Sequence, residues 1–406
     1  MLLRQYTGVM ETAIDANLVF LWLPMAAYGF IGIFARIFAD WLTFKTHSRK
    51  SMIYLALMIG TITYLPIIIY PSTITNTIQS LGVGVGASII GTYQLMFNEQ
   101  YGKSRQFLTV SLLSIPPLLA DFISSAIQST FSSIGGSEVK NSVDTLKYLW
   151  VIGLVIVAIT FVCVFFIKEN KNLIYQDDVY KKQIKTNNEW FYFLWICLLG
   201  SLIAFIRWAN SGAIAQLNIE VLAGYAKNPD VWDTKLASSY EGYLSLLFSL
   251  GQLFGGLITG LILINRIGKM FSFTIGCAVW IIYEIMGIYI LNPLGYLAIH
   301  VLNGFSYGVV YNLILGFILQ KTFNSKKLSP VGVYQSVLSI GITGSSFFTT
   351  WLKKGPLGAH DYTNYFHAAK IINCAVIVVI VVAWLIFMYS WFIEKWNYQK
   401  LWWTSR

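Results

Sequence analysis

Charge is what this chain has least of. Only 11% of its 406 residues are Asp, Glu, Lys or Arg, against about 25% in a typical soluble domain. With 56% hydrophobic residues and a mean hydropathy of +0.63, this composition excludes a soluble globular chain and points to a protein that crosses the bilayer many times. Cysteine is also scarce. The four present (Cys163, Cys197, Cys277 and Cys374) all fall inside apolar runs and show no metal-ligand spacing, so neither a disulfide framework nor a zinc site is expected. No G-x-x-x-x-G-K-[ST] loop occurs, which excludes a P-loop ATP-driven machine. No nucleophile–base constellation stands out, so the chain is read as a non-enzyme without cofactor or metal. No cleavable signal peptide is visible, because Arg4, Glu11 and Asp15 interrupt the first apolar stretch.

Crossing a bilayer as a helix takes about 20 mostly apolar residues. Eleven stretches qualify: 17–40, 52–71, 76–97, 106–129, 147–167, 190–222, 241–264, 270–291, 294–320, 329–351 and 367–393. Alternating strand patterns are absent, so helix is the only reading for these spans. The connectors sort by charge. Loops 41–51, 98–105, 168–189, 265–269 and 321–328 and the tail from 394 hold 18 basic residues, whereas the alternating set holds seven. The first set is therefore cytoplasmic, which puts the C-terminus inside and suggests a multi-pass protein of the plasma membrane. The net charge of +10 follows from this bias, and no nucleic-acid partner is expected.

The chain divides at the most basic connector. Residues 1–167 form an N-terminal bundle, 168–189 a cytoplasmic linker and 190–406 a C-terminal bundle. The halves repeat. "ARIFADWLTFKTHSRK" ends a span with Asp40 and a basic loop, and "LILINRIGK" ends its counterpart with Asn265, Arg266, Gly268 and Lys269. Gly82 and Gly86 in "LGVGVGASIIG" match the spacing of Gly304 and Gly308 in "LNGFSYGVV"; small residues four apart let helices approach closely.

That loop pattern resembles the signature between the second and third helices of the major facilitator superfamily, although Arg36 stands where a glycine is expected. The resemblance implies an all-α polytopic membrane fold of two pseudo-symmetric six-helix bundles around a central cavity, working by alternating access. Aligned on it, 17–40 is the second helix and residues 1–16 are the end of a truncated first helix, giving eleven full spans and a partial one. Asp40, Asn265, Arg266, Gly268 and Lys269 would then be the gating-loop motif.

One feature of the apolar runs demands chemistry. "SLIAFIRWANSG" carries Arg207 about 18 residues into its span, roughly 27 Å along a helix. A charge near the bilayer centre costs at least a few kcal/mol, and arginine cannot shed its proton. Arg207 needs a carboxylate, for which Asp121 and Glu284 are candidates, or a wet cavity, or an anionic ligand that its planar fork can grip. The symmetry-related stretch "LLRQYTGVME" carries Arg4. Paired arginines in the first and seventh helices resemble the organophosphate:phosphate antiporter group, the transporters of glycerol phosphate and hexose phosphates, as does "AYGF" in the second helix; Gly32 stands where that group often places a lysine. The resemblance implies a secondary transporter of a small anionic metabolite working by exchange with phosphate. Tyr28, Tyr93, Asn303, Tyr307, Tyr311 and Gln335 join Arg4 and Arg207 as expected substrate contacts, while Asp121, Glu284 and His300 remain as coupling or ion-pair candidates. Arg36, near the cytoplasmic end of its helix, is read as structural, either snorkelling to the interface or pairing with a neighbouring acid. The expected partners are a small anionic solute and the lipid bilayer, and the expected state is a monomer. Two alternatives stay open: a proton-coupled transporter of a neutral or cationic solute, or a transport-inactive membrane scaffold.

Overall fold

The computed structural model describes residues 14, 22–101, 106–113, 115–116, 118–120, 122–124, 126, 143–169, 187–222, 234–290, 292–320, 330–354 and 362–404. Among these there is no β-strand. The helices are α1 (Trp22–Thr46), α2 (Arg49–Ile69), α3 (Thr73–Tyr101), α4 (Gln106–Leu113), α5 (Val143–Phe166), α6 (Asn187–Trp208), α7 (Ala215–Leu222), α8 (Thr234–Ile258), α9 (Ile264–Tyr289), α10 (Pro293–Gln320), α11 (Pro330–Lys354) and α12 (Tyr362–Thr404). Two π-helical turns interrupt them, Ala209–Ile214 between α6 and α7 and Thr259–Leu263 between α8 and α9.

Each expected span meets helix over its described residues, which leave out 17–21, 291, 329 and parts of 106–129. Among the described residues, eight stretches are long and apolar enough to cross a membrane. One of them, Gly242–Tyr289, runs for 48 residues, roughly 72 Å of helix and so two crossings. The chain bends inside it at Gly268, whose φ of 83° and ψ of 167° leave the helical region. That backbone suits a residue without Cβ. The expected "NRIGK" motif therefore sits at the turn between two spans. α11 is not among the eight. Gln335, Ser336, Ser339, Thr343, Ser345 and Ser346 make it too polar for lipid, and it lies between α1 and α6 instead.

A large core joins α6 through α12 and takes in Tyr28 of α1 and Val110 of α4, with Phe273 stacked on Phe387 at 3.8 Å. The N-terminal half has two smaller clusters, one around Tyr64, Ile67, Leu149 and Trp150, the other around Ala39, Met52 and Ala56. Within the C-terminal half α8 and α10 touch backbone to backbone. Gly251 and Gly255 lie on the main chain of Val301 and Phe305, and Gly304 and Gly308 lie on that of Phe248 and Gln252. Gly82 meets the Thr63 side chain of α2, while a Cβ at Gly86 would meet nothing within 4 Å.

The halves meet along α1 and α11, which run antiparallel. Gly29 faces Thr343, Gly32 faces Ser339, Arg36 reaches Gln335, and Asp40 lies against Gly332. At the α2 end of the N-terminal half, Glu169 accepts hydrogen bonds from Ser48 Oγ (2.8 Å) and from the Arg49 backbone N–H, and Lys50 Nζ donates to the carbonyls of Phe165 and Ile167.

Candidate functional site

The guanidinium of Arg207 is 7% exposed and has three aromatic faces around it. Its Cζ stands 3.9 Å from the Trp208 ring centroid, 5.0 Å from Phe248 and 5.0 Å from Tyr307. Each such contact contributes on the order of 1–2 kcal/mol when desolvated. The rings cannot accept the hydrogen bonds, however. Nε and Nη1 of Arg207 are buried without a partner, and leaving a buried donor unmet costs about 1–3 kcal/mol, more for a charged group. Cation–π contact therefore orients the fork without satisfying it.

A second buried arginine shares this surround. Arg36 is 6% exposed, and its Nη1 donates to the Gln335 carbonyl at 2.5 Å while Nε has no partner. Tyr28, Tyr307, Tyr311 and Tyr334 lie within electrostatic reach of it, and Tyr307 and Tyr311 lie within reach of both guanidiniums. Tyr307 and Tyr311 stack at 5.3 Å, as residues four apart on one helix face do. Tyr311 hydrogen-bonds to Gln94 and Gln335, and Gln335 Nε2 donates to Gln94 Oε1 at 3.0 Å. Among the described residues neither arginine forms an ion pair. Asp40, one turn along α1 from Arg36, turns to Gly332 near the N-terminus of α11 instead, where a carboxylate meets the positive end of the helix dipole.

The expected residues divide accordingly. Arg207, Tyr28, Tyr307, Tyr311 and Gln335 come together. Tyr93 is 36% exposed and pairs with Phe97 at 6.4 Å, away from them. Asn303 accepts from Trp280 Nε1 at 2.8 Å, and Trp280 packs edge-on against Tyr307, so Asn303 supports the cage from behind. Arg4 and Asp121 lie outside the described residues. Arg36 differs from its sequence reading: it does not snorkel but is buried at the junction of the halves. A signal for it was available, since Tyr28, Gly32 and Arg36 recur every four residues along one face of α1.

Glu284 does not pair with Arg207. Its Oε1 accepts from Asn210 Nδ2 at 2.5 Å, in the π-turn just beyond Arg207. His300 Nδ1 bonds the Tyr283 hydroxyl at 2.9 Å, which bonds Tyr296 at 2.8 Å, and Asn218 Nδ2 donates to Tyr296 at 3.1 Å. In the second-half loop motif, Asn265 Nδ2 donates to the Leu261 carbonyl of its own helix, Arg266 is exposed, and Lys269 Nζ sits 4.9 Å from the Phe317 ring. Among the described residues no group of three or more His, Cys, Asp or Glu is placed to hold a metal ion.

No protein-family model matches the sequence, and no curated protein matches it. Solved structures do. The chain is similar to the human organic anion transporter MFSD10 (TETRAN) with a TM-score of 0.66 at 9% identity, over 95% of this chain and 89% of that one. It is similar to the nucleoside transporter NupG with a TM-score of 0.63 at 13% identity, over 95% of this chain and 94% of that one. A point mutant of NupG gives 0.59 at 15% identity, over 95% of each chain. At such identities the likeness is one of fold. The protein has the all-α, multi-pass membrane fold of these major-facilitator-type transporters.

Proposed function

We propose that this protein is a secondary transporter of a small organic anion, held between the two halves by Arg207 and Arg36 and moved by rocking one half against the other. One observation carries this reading: two buried guanidiniums from opposite halves share a tyrosine shell without any carboxylate partner among the described residues. Burying one such charge costs several kcal/mol, and a bound anion offsets that cost by filling the empty donor positions. The shared fold with transporters of organic anions and of nucleosides supports transport as the activity. An organophosphate suits the forked donors, since Arg binds phosphate through two parallel hydrogen bonds. Exchange against phosphate is the simplest cycle, because a permanently charged site crosses a low-dielectric barrier more easily when occupied. The protein works as a monomer in the plasma membrane, with its C-terminus cytoplasmic.

The test is exchange in proteoliposomes loaded with phosphate. Labelled phosphate and glycerol phosphate should enter the wild type against internal phosphate, and Arg207→Lys should abolish entry. Entry through the lysine variant at wild-type affinity would sink the clamp.

A further inference from the structure

Asn210 and Glu284 form an incomplete pair. The two side chains are 0% and 1% exposed, and Asn210 Nδ2 donates to Glu284 Oε1 at 2.5 Å. Their other atoms, Asn210 Oδ1 and Glu284 Oε2, are both buried without a partner. Both are acceptors when Glu284 is ionised. One proton on Oε2 turns it into the donor that Oδ1 lacks and closes a two-bond acid–amide pair, the arrangement a buried amide and carboxyl prefer when every polar atom must be met. None of the groups around Glu284 bonds its Oε2. They are Tyr283 on its own helix, Tyr296 and His300 on α10, and, from α12, Asn373, whose Nδ2 lies 3.2 Å from a Cβ built at Gly287, with Lys370 one turn before it. The nearest buried cation along the chain is Arg207, three residues before Asn210. Asn210 also sits in a π-turn, a local rewinding that recurs at functional sites.

We infer that Glu284 is a proton-binding site coupled to the anion site through Asn210, so that the protein carries out proton-linked net uptake of an anion in addition to exchange. This rests on Arg207 being the anion site. When Glu284 is protonated, Arg207 keeps its fork for the ligand. When Glu284 loses its proton, a carboxylate bonded to Asn210, one turn along the chain from Arg207, supplies the counter-charge that the departed anion gave. The empty carrier can then return. Only the O–H bond at Oε2 forms and breaks, and because Oε2 is closed off from water in this state, the proton passes to and from water when the halves part. By linkage, the anion and the proton favour each other's binding by the same factor.

Two measurements test this. In proteoliposomes with labelled phosphate, the wild type should show net uptake driven by an inward proton gradient as well as phosphate–phosphate exchange. Glu284→Gln mimics the protonated acid, because its amide can donate to Asn210 Oδ1 and accept from Nδ2. It should lower the ratio of net uptake to exchange on the order of tenfold, the size of an ordinary coupling, and remove the part of the pH dependence of phosphate affinity that exceeds the titration of phosphate itself. Equal ratios in E284Q and wild type would overturn the proposal. So would loss of the pH dependence in His300→Gln but not in E284Q, which would move the proton to His300. The second measurement reads the proton directly. An infrared difference spectrum of wild type minus E284Q should contain a deuterium-sensitive carboxylic-acid C=O band that grows as pH falls and that persists to higher pH with phosphate bound. A wild-type spectrum with carboxylate bands only, at every pH from about 5 to 8 and with phosphate present or absent, overturns the proposal even if E284Q folds poorly. If the wild type exchanges no phosphate, the anion reading fails, and the infrared band still decides the protonation of Glu284.

Discussion

Two helix seams in this molecule are built on different principles. The α8–α10 seam lies inside the C-terminal half and sets glycine against main chain at Gly251, Gly255, Gly304 and Gly308. The α1–α11 seam lies between the halves and brings glycine against main chain at one point, Gly29 on Thr343; along the rest it meets through side chains: Ser339, Arg36 on the Gln335 carbonyl, and Asp40 on Gly332. Backbone-on-backbone contact leaves no room to slide, since interiors at close packing respond to a single extra methyl. A row of hydroxyl, guanidinium and carboxylate contacts exchanges its partners for water at little net cost. The first seam holds a rigid body together; the second can open. Arg207 rides on the rigid seam, because its cage includes Phe248, whose main chain Gly304 contacts, and Tyr307, which lies one residue from Gly308. Arg36 sits on the seam that opens. In the proposed anion site a fork on the glycine-packed seam thus faces one on the seam between the halves, and parting α1 from α11 would take Arg36 away from the Gln335 carbonyl.

The largest effect is expected at the fixed fork. Arg207→Lys loses the bidentate donors, and charge-assisted hydrogen bonds contribute about 1.5–3 kcal/mol each, so phosphate binding measured by calorimetry should weaken about 100-fold. Next comes the rigid seam. Gly308→Ala places a Cβ into the Gln252 carbonyl and 2.9 Å from the Gly256 nitrogen, and overpacking of this kind costs about 1–3 kcal/mol. The expected result is a lowered melting temperature in detergent, with anion affinity falling alongside it as the cage loosens. If Gly304→Ala and Gly308→Ala are as stable as wild type, the distinction between the seams fails. On the movable seam, Arg36→Gln should weaken phosphate binding about tenfold, the loss of roughly one charged hydrogen bond. It should also expose a cysteine placed at Ser339 to a cytoplasmic thiol reagent, while the melting temperature stays close to wild type. The smallest change is Tyr311→Phe, which removes the hydroxyl bonded to Gln94 and Gln335. A net hydrogen bond contributes about 1 kcal/mol, so affinity should fall about fivefold.

How much of this was legible in the sequence depends on the range of the forces involved. Hydrophobic runs longer than the bilayer is thick announced the spans, since burying backbone in lipid leaves helix as the only outcome. α11 was found as well, although its serines and threonines leave it short of lipid-solubility, because the whole 329–351 stretch is free of charge. Arg207 stood out since nothing polar enough surrounds it in the chain. Of its cage, Tyr307 was expected beside it through the family resemblance, but Phe248, on another helix, had no signal in the sequence. The partner of Arg36 was out of reach for a related reason. The distance of Arg36 along α1 from the basic loop suggested a side chain reaching for water, but α11 covers that face and substitutes the Gln335 carbonyl. The π-turn at "ANSGAI" has no local signal, since its extra residue is fixed by packing and by the Glu284 bond across 74 positions of chain. Arg4 and Asp121, both expected near the site, lie outside the described residues.

The central claim is that an unpaired, caged guanidinium selects anions. Calorimetric titration of the purified wild type and of Arg207→Lys with inorganic phosphate, glycerol phosphate and the uncharged nucleoside uridine tests it most directly. Both phosphates should bind the wild type and lose about 100-fold in the lysine variant, and uridine should bind neither. Equal binding of uridine to both proteins, with no heat from either phosphate, would contradict it.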